Sequence, residues 1–263
     1  MAMKCAFCPR EAVEVGGEHI WDNWINRALP PTMYRARKRY TLDSPVIEVD
    51  TDRIDEKLPT VCNQCNNGWM SVLSEKVKNR FERAMLEGEP FSLGARDAAI
   101  LAAFAFMKSV VTNHLITLHD GTEPFFTRAA REQFANSLLL PPLLKCWFAA
   151  YQGQSRMSTK NNLSIIGTSE PGPLHGMEFF SFTYVVGKLA LQLLAPRWKN
   201  ISHRGRPIIS LTPNVYWERA TVLFWPHDGA VLSWPPAKYI GDDTVKAFIY
   251  RFNNPVNVPI SAF

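Results

Sequence analysis

Val61-Cys62-Asn63-Gln64-Cys65-Asn66-Asn67-Gly68-Trp69-Met70 is the stretch on which the reading of this chain turns. Two cysteines separated by two residues put two sulfurs on one side of a tight knuckle, and the residues after them predict a helix over about 67–85. The same spacing occurs at Cys5 and Cys8, so four of the five cysteines fall in CxxC pairs. Two such pairs supply four thiolates to one tetrahedral Zn²⁺ more naturally than they form two small disulfide loops. The expectation is therefore a structural zinc held by Cys5, Cys8, Cys62 and Cys65, with no open position for substrate. The fifth cysteine, Cys146, lies in an apolar run near Leu144 and Trp147 and reads as buried and inert.

Working outward, Glu11 to His19 reads as a short hairpin and His19 to Leu29 as a turn or helix. Some thirty residues from Pro31 to Val61 then form a loop long enough to be functional or an added strand pair. That loop holds the basic cluster Arg35, Arg37, Lys38 and Arg39, followed by acidic residues from Glu48 to Glu56. The basic cluster could grip phosphates or be an ordinary solvated face. Glu87 to Ala95 is a break in composition, and the expected division is a zinc-bearing module over 1–90 and a second domain over 91–263.

The whole chain has 263 residues, 46% of them hydrophobic and 20% charged, with eight Trp and sixteen Phe to anchor a core. Disorder, collagen and coiled coil are excluded, and a mixed α+β protein fits. The longest apolar run, 98–107, is too short to span about 30 Å of hydrocarbon, and no apolar leader precedes Cys5; the expectation is a cytoplasmic protein with no membrane partner. The net charge of +5 is unevenly placed. Residues 1–90 carry 13 basic against 14 acidic side chains and the remainder 16 against 10, so the basic excess belongs to the second part.

In that second part, helical spacing of Ile100, Phe104, Met107, Val111 and Leu118 predicts a buried helix over 95–118, with another over 127–139. Strand patterns follow at 145–152, 163–167, 179–194, 208–211 and 221–225, with a helix over 243–252, which describes a helix-plus-antiparallel-sheet domain. The 179–194 run is long for one strand, and Gly187 is where it could bend. Arg197, Lys199, Arg204 and Arg206 surround Trp198 and form a second candidate nucleic-acid contact. His114, on the apolar helix face, reads as a core histidine.

The order CxxC, Glu18-His19, CxxC-Asn66 resembles the HNH endonuclease family, specifically its zinc-bearing ββα-metal (His-Me finger) branch, which includes the phage recombination endonuclease VII. The phrases Glu18-His19-Ile20-Trp21 and 61–70 are similar to a group of bacterial HNH-like proteins. The resemblance covers residues 4–80 and implies an α+β chain whose first module is a nuclease. It implies that His19 activates water, and that Glu18 and Asn66 hold a catalytic Mg²⁺ or Mn²⁺, with Asp22 or Asn23 as a substitute ligand. Hydrolysis of DNA, with RNA also open, would leave a 5′-phosphate and a 3′-hydroxyl, and phage defence or mobile-element biology is the associated setting. Glu18 stands where relatives often have Asp, and 55–60 lacks the Asn that normally braces the loop before the second knuckle. A zinc-dependent nucleic-acid or protein adaptor without catalysis is therefore the alternative, and zinc that only staples the N-terminus to a sensor domain is a third. The second domain could bind substrate or a regulatory ligand or partner, or form a homodimer.

Overall fold

The computed structural model describes residues 4–12, 17–28, 34–38, 45–51, 57–120, 123–153, 157–166, 177–198, 210–211, 219–250 and 260–261. The chain is mixed α+β with antiparallel sheets, and it forms two compact units that interleave along the sequence. Unit one combines Met1–Glu82 with Phe106–Pro141; unit two combines Arg83–Ala105 with Pro142–Phe263.

Unit one is built around a short antiparallel pair, β1 (Glu18–His19) and β4 (Lys57–Leu58), with Glu18 opposite Leu58 and His19 opposite Lys57. The expected partner for 18–19 was the segment from Glu11. Glu11 instead forms an isolated bridge to Lys4, which closes the first knuckle. Gly17 enters β1 at φ +32°, and a Cβ there would lie 2.2 Å from the Leu58 carbonyl oxygen, so the close approach of the two chains requires glycine.

Helix α1 (Asn23–Ala28) follows β1. The long loop holds a second antiparallel pair, β2 (Tyr34–Lys38) and β3 (Ile47–Thr51). After β4 the chain turns into α2 (Asn63–Cys65), a widened π turn over Asn66–Met70, and α3 (Ser71–Glu87). Gly68 sits in the π turn at φ −95°, ψ −116°, outside helical geometry, and marks a kink.

The predicted buried helix is α4 (Ala95–Asp120), whose residues 101–112 are all buried. A helix apolar on every side belongs in an interior. Its first part lies in unit two and its later part in unit one. In unit one Phe106 meets Phe134 of α5 (Arg128–Ser137) edge to face at 4.7 Å. Thr127 caps α5 by accepting from the Ala130 N–H.

Unit two is a six-stranded sheet. β6 (Lys145–Tyr151), β7 (Met157–Ile166), β8 (Met177–Val186), β9 (Leu189–Trp198) and β11 (Thr221–Trp225) run in the order β11-β6-β9-β8-β7, and β13 (Tyr239–Ile240) continues the β11 edge parallel to β6. Two small antiparallel pairs accompany it: β5 (Phe91–Leu93) with β12 (Leu232–Trp234), and β10 (Ser210–Leu211) with β14 (Ile260–Ser261).

The 179–194 run is a hairpin of β8 and β9 rather than one strand. Gly187 turns it at φ +53°, where a Cβ would lie 2.1 Å from the Met85 carbonyl oxygen. One sheet face receives Phe104 of α4, edge to face with Tyr184 at 5.9 Å. The other packs on α6 (Asp242–Tyr250), with Tyr151, Val185, Ala190 and Phe248 in its core. Buried Gln192 donates to Thr183 Oγ1 at 3.0 Å and to the Phe248 carbonyl at 2.9 Å, satisfying an acceptor near the helix end.

Among the described residues, no helix is long and apolar enough to cross a membrane.

Candidate metal centre and adjoining cleft

Cys5, Cys8, Cys62 and Cys65 come together with their sulfur atoms all within 4.8 Å of one another. All are free thiols, and Cys8 Sγ and Cys62 Sγ stand 3.6 Å apart, too far for a disulfide. Tetrahedral Zn–S bonds of about 2.3 Å require sulfur separations of roughly 3.8 Å, so the donor set fits one zinc with little movement. The four cysteines could thus hold a zinc ion.

Local structure explains the convergence. Cys62 is the N-cap of α2 and Cys65 lies in its first turn, so one helix start carries both sulfurs of the second knuckle. The first knuckle is pinned by Cys5 N–H to the Arg10 carbonyl and Ala6 N–H to the Thr60 carbonyl, both 2.8 Å. Phe7 projects into an aromatic cluster with Trp69 and Phe134. Arg131 donates to the Ala6 and Phe126 carbonyls. Cys5 is held down to about 4, first by the hydrogen bond from Cys65, whose own thiol is pushed up because it is the donor. Burial raises Cys8. A metal ion would displace the protons that the cluster otherwise shares.

Beside the cysteines lies an open cleft of about 350 Å³ that Glu18, His19 and Asn66 all line. The three residues singled out from separate motifs therefore share one site. The Asn66 side-chain amide donates to the Gly17 carbonyl at 3.1 Å and ties the helix start to the strand carrying Glu18 and His19. Asp22 and Asn23, the substitute ligands, line the same cleft, as does Glu75 on α3.

Lys108 is the side chain that sequence reasoning missed. Its ammonium is fully buried and donates to Glu18 Oε1 at 2.6 Å, the His19 carbonyl at 2.8 Å and Asp22 Oδ1 at 2.9 Å. Burial opposes its charge, but Asp22 and Glu18 outweigh burial and raise its pKa above the ordinary lysine value. A divalent ion held through Glu18 Oε1 or Asp22 Oδ1 would have to share that oxygen with an ammonium, so the cleft as arranged gives Mg²⁺ or Mn²⁺ no support. Arg27 and Lys78 also line the cleft and were not anticipated, since isolated cations on helices carry no motif.

The basic clusters are placed less distinctively. Arg35, Arg37 and Lys38 lie on β2, with Arg35 opposite Asp50 and Arg37 opposite Glu48 in register, so acidic positions face the basic ones across the hairpin. Arg39 lies outside the described residues, as do Lys199, Arg204 and Arg206. Arg197 is engaged by its cross-strand neighbour, buried Glu178, through a 2.8 Å bond from Nε. Cys146 is wholly buried in β6, and burial pushes its thiol well up. His114 Nε2 donates to the Lys4 carbonyl, 3.3 Å away.

Compared with known proteins, the chain matches no protein-family model, no curated protein and no solved structure.

Proposed function

We propose that unit one is an HNH-like endonuclease module that hydrolyses phosphodiester bonds in DNA, with a structural zinc on its four cysteines. The observation that carries this reading is the convergence of Glu18, His19 and Asn66 on one cleft beside the cysteine cluster. In the proposed step the His19 imidazole takes a proton from water, the water oxygen bonds to phosphorus, and the P–O3′ bond breaks. The departing 3′ oxygen takes a proton from solvent, leaving a 3′-hydroxyl and a 5′-phosphate. Asn66 keeps the strand bearing His19 in place, and Arg27 and Lys78 counter the phosphate charge from the cleft wall. No divalent ion has a part in this step, because Lys108 already engages Glu18 Oε1 and Asp22 Oδ1.

A nucleic-acid adaptor is the second reading, favoured by the same Lys108 contacts, which leave Glu18 committed to an ion pair. Plasmid nicking separates the two, assayed with and without Mg²⁺ or Mn²⁺ and extended to single-stranded DNA and RNA. The nuclease reading expects His19→Ala to lower cleavage by about 100-fold or more. Equal inactivity of wild type and variant, with nucleic-acid binding retained in both, establishes the adaptor.

A further inference from the structure

Lys108 lies within an unbroken run of buried residues, yet it carries a charge. An ammonium has three N–H bonds, and Lys108 donates to three oxygens of one short segment, 18–22: two carboxylate oxygens and one backbone carbonyl. Hard oxygens of this kind are the ligands that Mg²⁺ and Mn²⁺ select. The two carboxylates outnumber the single ammonium, and Asp22 Oδ2 is buried with no hydrogen-bond partner among the described residues. The segment is thus built around a cation, and the cation is supplied by the chain itself.

We propose that Lys108 is the resident cation of this cleft: its ammonium fills the place between Glu18 and Asp22 that a catalytic divalent ion would otherwise take. Through the His19 carbonyl it is also a positioning residue, fixing the backbone from which the imidazole projects. Removing the ammonium leaves two adjacent buried carboxylates and an open carbonyl, a donor set that a small divalent ion would enter to relieve their repulsion. The catalytic consequence, cleavage without added Mg²⁺ or Mn²⁺, rests on the nuclease reading; the occupancy of the cation site does not.

Mn²⁺ titration followed by electron paramagnetic resonance reads occupancy directly. Zinc-loaded full-length wild type in metal-free buffer is expected to leave the free Mn²⁺ signal unchanged. Zinc-loaded Lys108→Ala is expected to remove about one Mn²⁺ per chain from that signal, the stoichiometry of one two-carboxylate site. Adding Glu18→Gln to that variant should abolish the uptake. Uptake of Mn²⁺ by wild type that Glu18→Gln removes would overturn the proposal, and this measurement stands even where Lys108→Ala fails to fold. A folded, zinc-retaining Lys108→Ala that takes up no Mn²⁺ would overturn it too, because the carboxylates would then be no cation site. Cleavage is scored separately. A wild type inactive on every substrate removes the nuclease reading and leaves the Mn²⁺ result to decide this one.

Discussion

The side-chain amide of Asn66 donates a 3.1 Å hydrogen bond to the main-chain carbonyl of Gly17, joining the helix that follows the second cysteine knuckle to the strand that carries Glu18 and His19. Asn66 directly follows a candidate zinc ligand, and Gly17 directly precedes the candidate catalytic pair. The metal cluster and the cleft are thereby coupled through one amide. Replacing Asn66 by Ala should lower the stability of unit one by about 1 kcal/mol and reduce cleavage, while Asn66→Asp, which loses the donor, should show the same direction. Chemical denaturation and plasmid nicking on the same preparations check this; an Asn66→Ala protein unchanged in both would show the brace to be idle.

Gly17→Ala should cost more than 1 kcal/mol, roughly, because φ is positive and the added methyl meets the backbone oxygen of Leu58, which cannot move as a side chain would. Gly229, also at positive φ but with open space around its Cβ position, provides the contrast: Gly229→Ala should be milder. Paired thermal melts of the two variants test the difference.

Cys62→Ser should release zinc and loosen the first knuckle, since it removes one of the four sulfurs that converge on one point and tie that knuckle to the second. Zinc content by mass spectrometry and near-ultraviolet circular dichroism should fall together. His19→Ala should keep its zinc, as the histidine is outside the cysteine set. Full folding of metal-free wild type would show that the four thiols do not need the ion.

His114 is held below the ordinary histidine value, first by burial and then by the nearby Arg131 charge. The unfolded chain therefore binds a proton at higher pH than the folded one. This contribution to stability is complete above about pH 6.5 and is lost as pH falls from there through the folded value. In His114→Gln the melting temperature should fall less steeply between neutral pH and pH 5 than in wild type, measured as the difference between the two proteins so that other titrating groups cancel. An identical slope would exclude His114 as a contributor.

How much of this was legible before folding follows the range of each interaction. The helices around α4 and α5 and the strands at 145–151 and 221–225 were readable because periodicity is a local property. In the 179–194 run the bend at Gly187 was readable, but that it pairs two strands as a hairpin was not, since one bent strand and a hairpin share the same alternation until the glycine must pass the Met85 carbonyl. The break in composition near residue 90 was visible, but which segments pack together was not, because burial of α4 on all sides leaves its partners unspecified.

By itself, the sequence determined the four cysteines as one candidate metal set, since CxxC spacing places paired sulfurs through bonded geometry alone. It also marked Glu18, His19 and Asn66 as residues worth bringing together. Only the tertiary structure decided what those residues face. Lys108 lies 90 residues from Glu18 in the chain, inside an apolar helix, and its charge can persist there only because folding delivers three oxygens to it. A buried ammonium and its acceptors are one electrostatic unit, and no local pattern in a sequence records a pairing made across that distance.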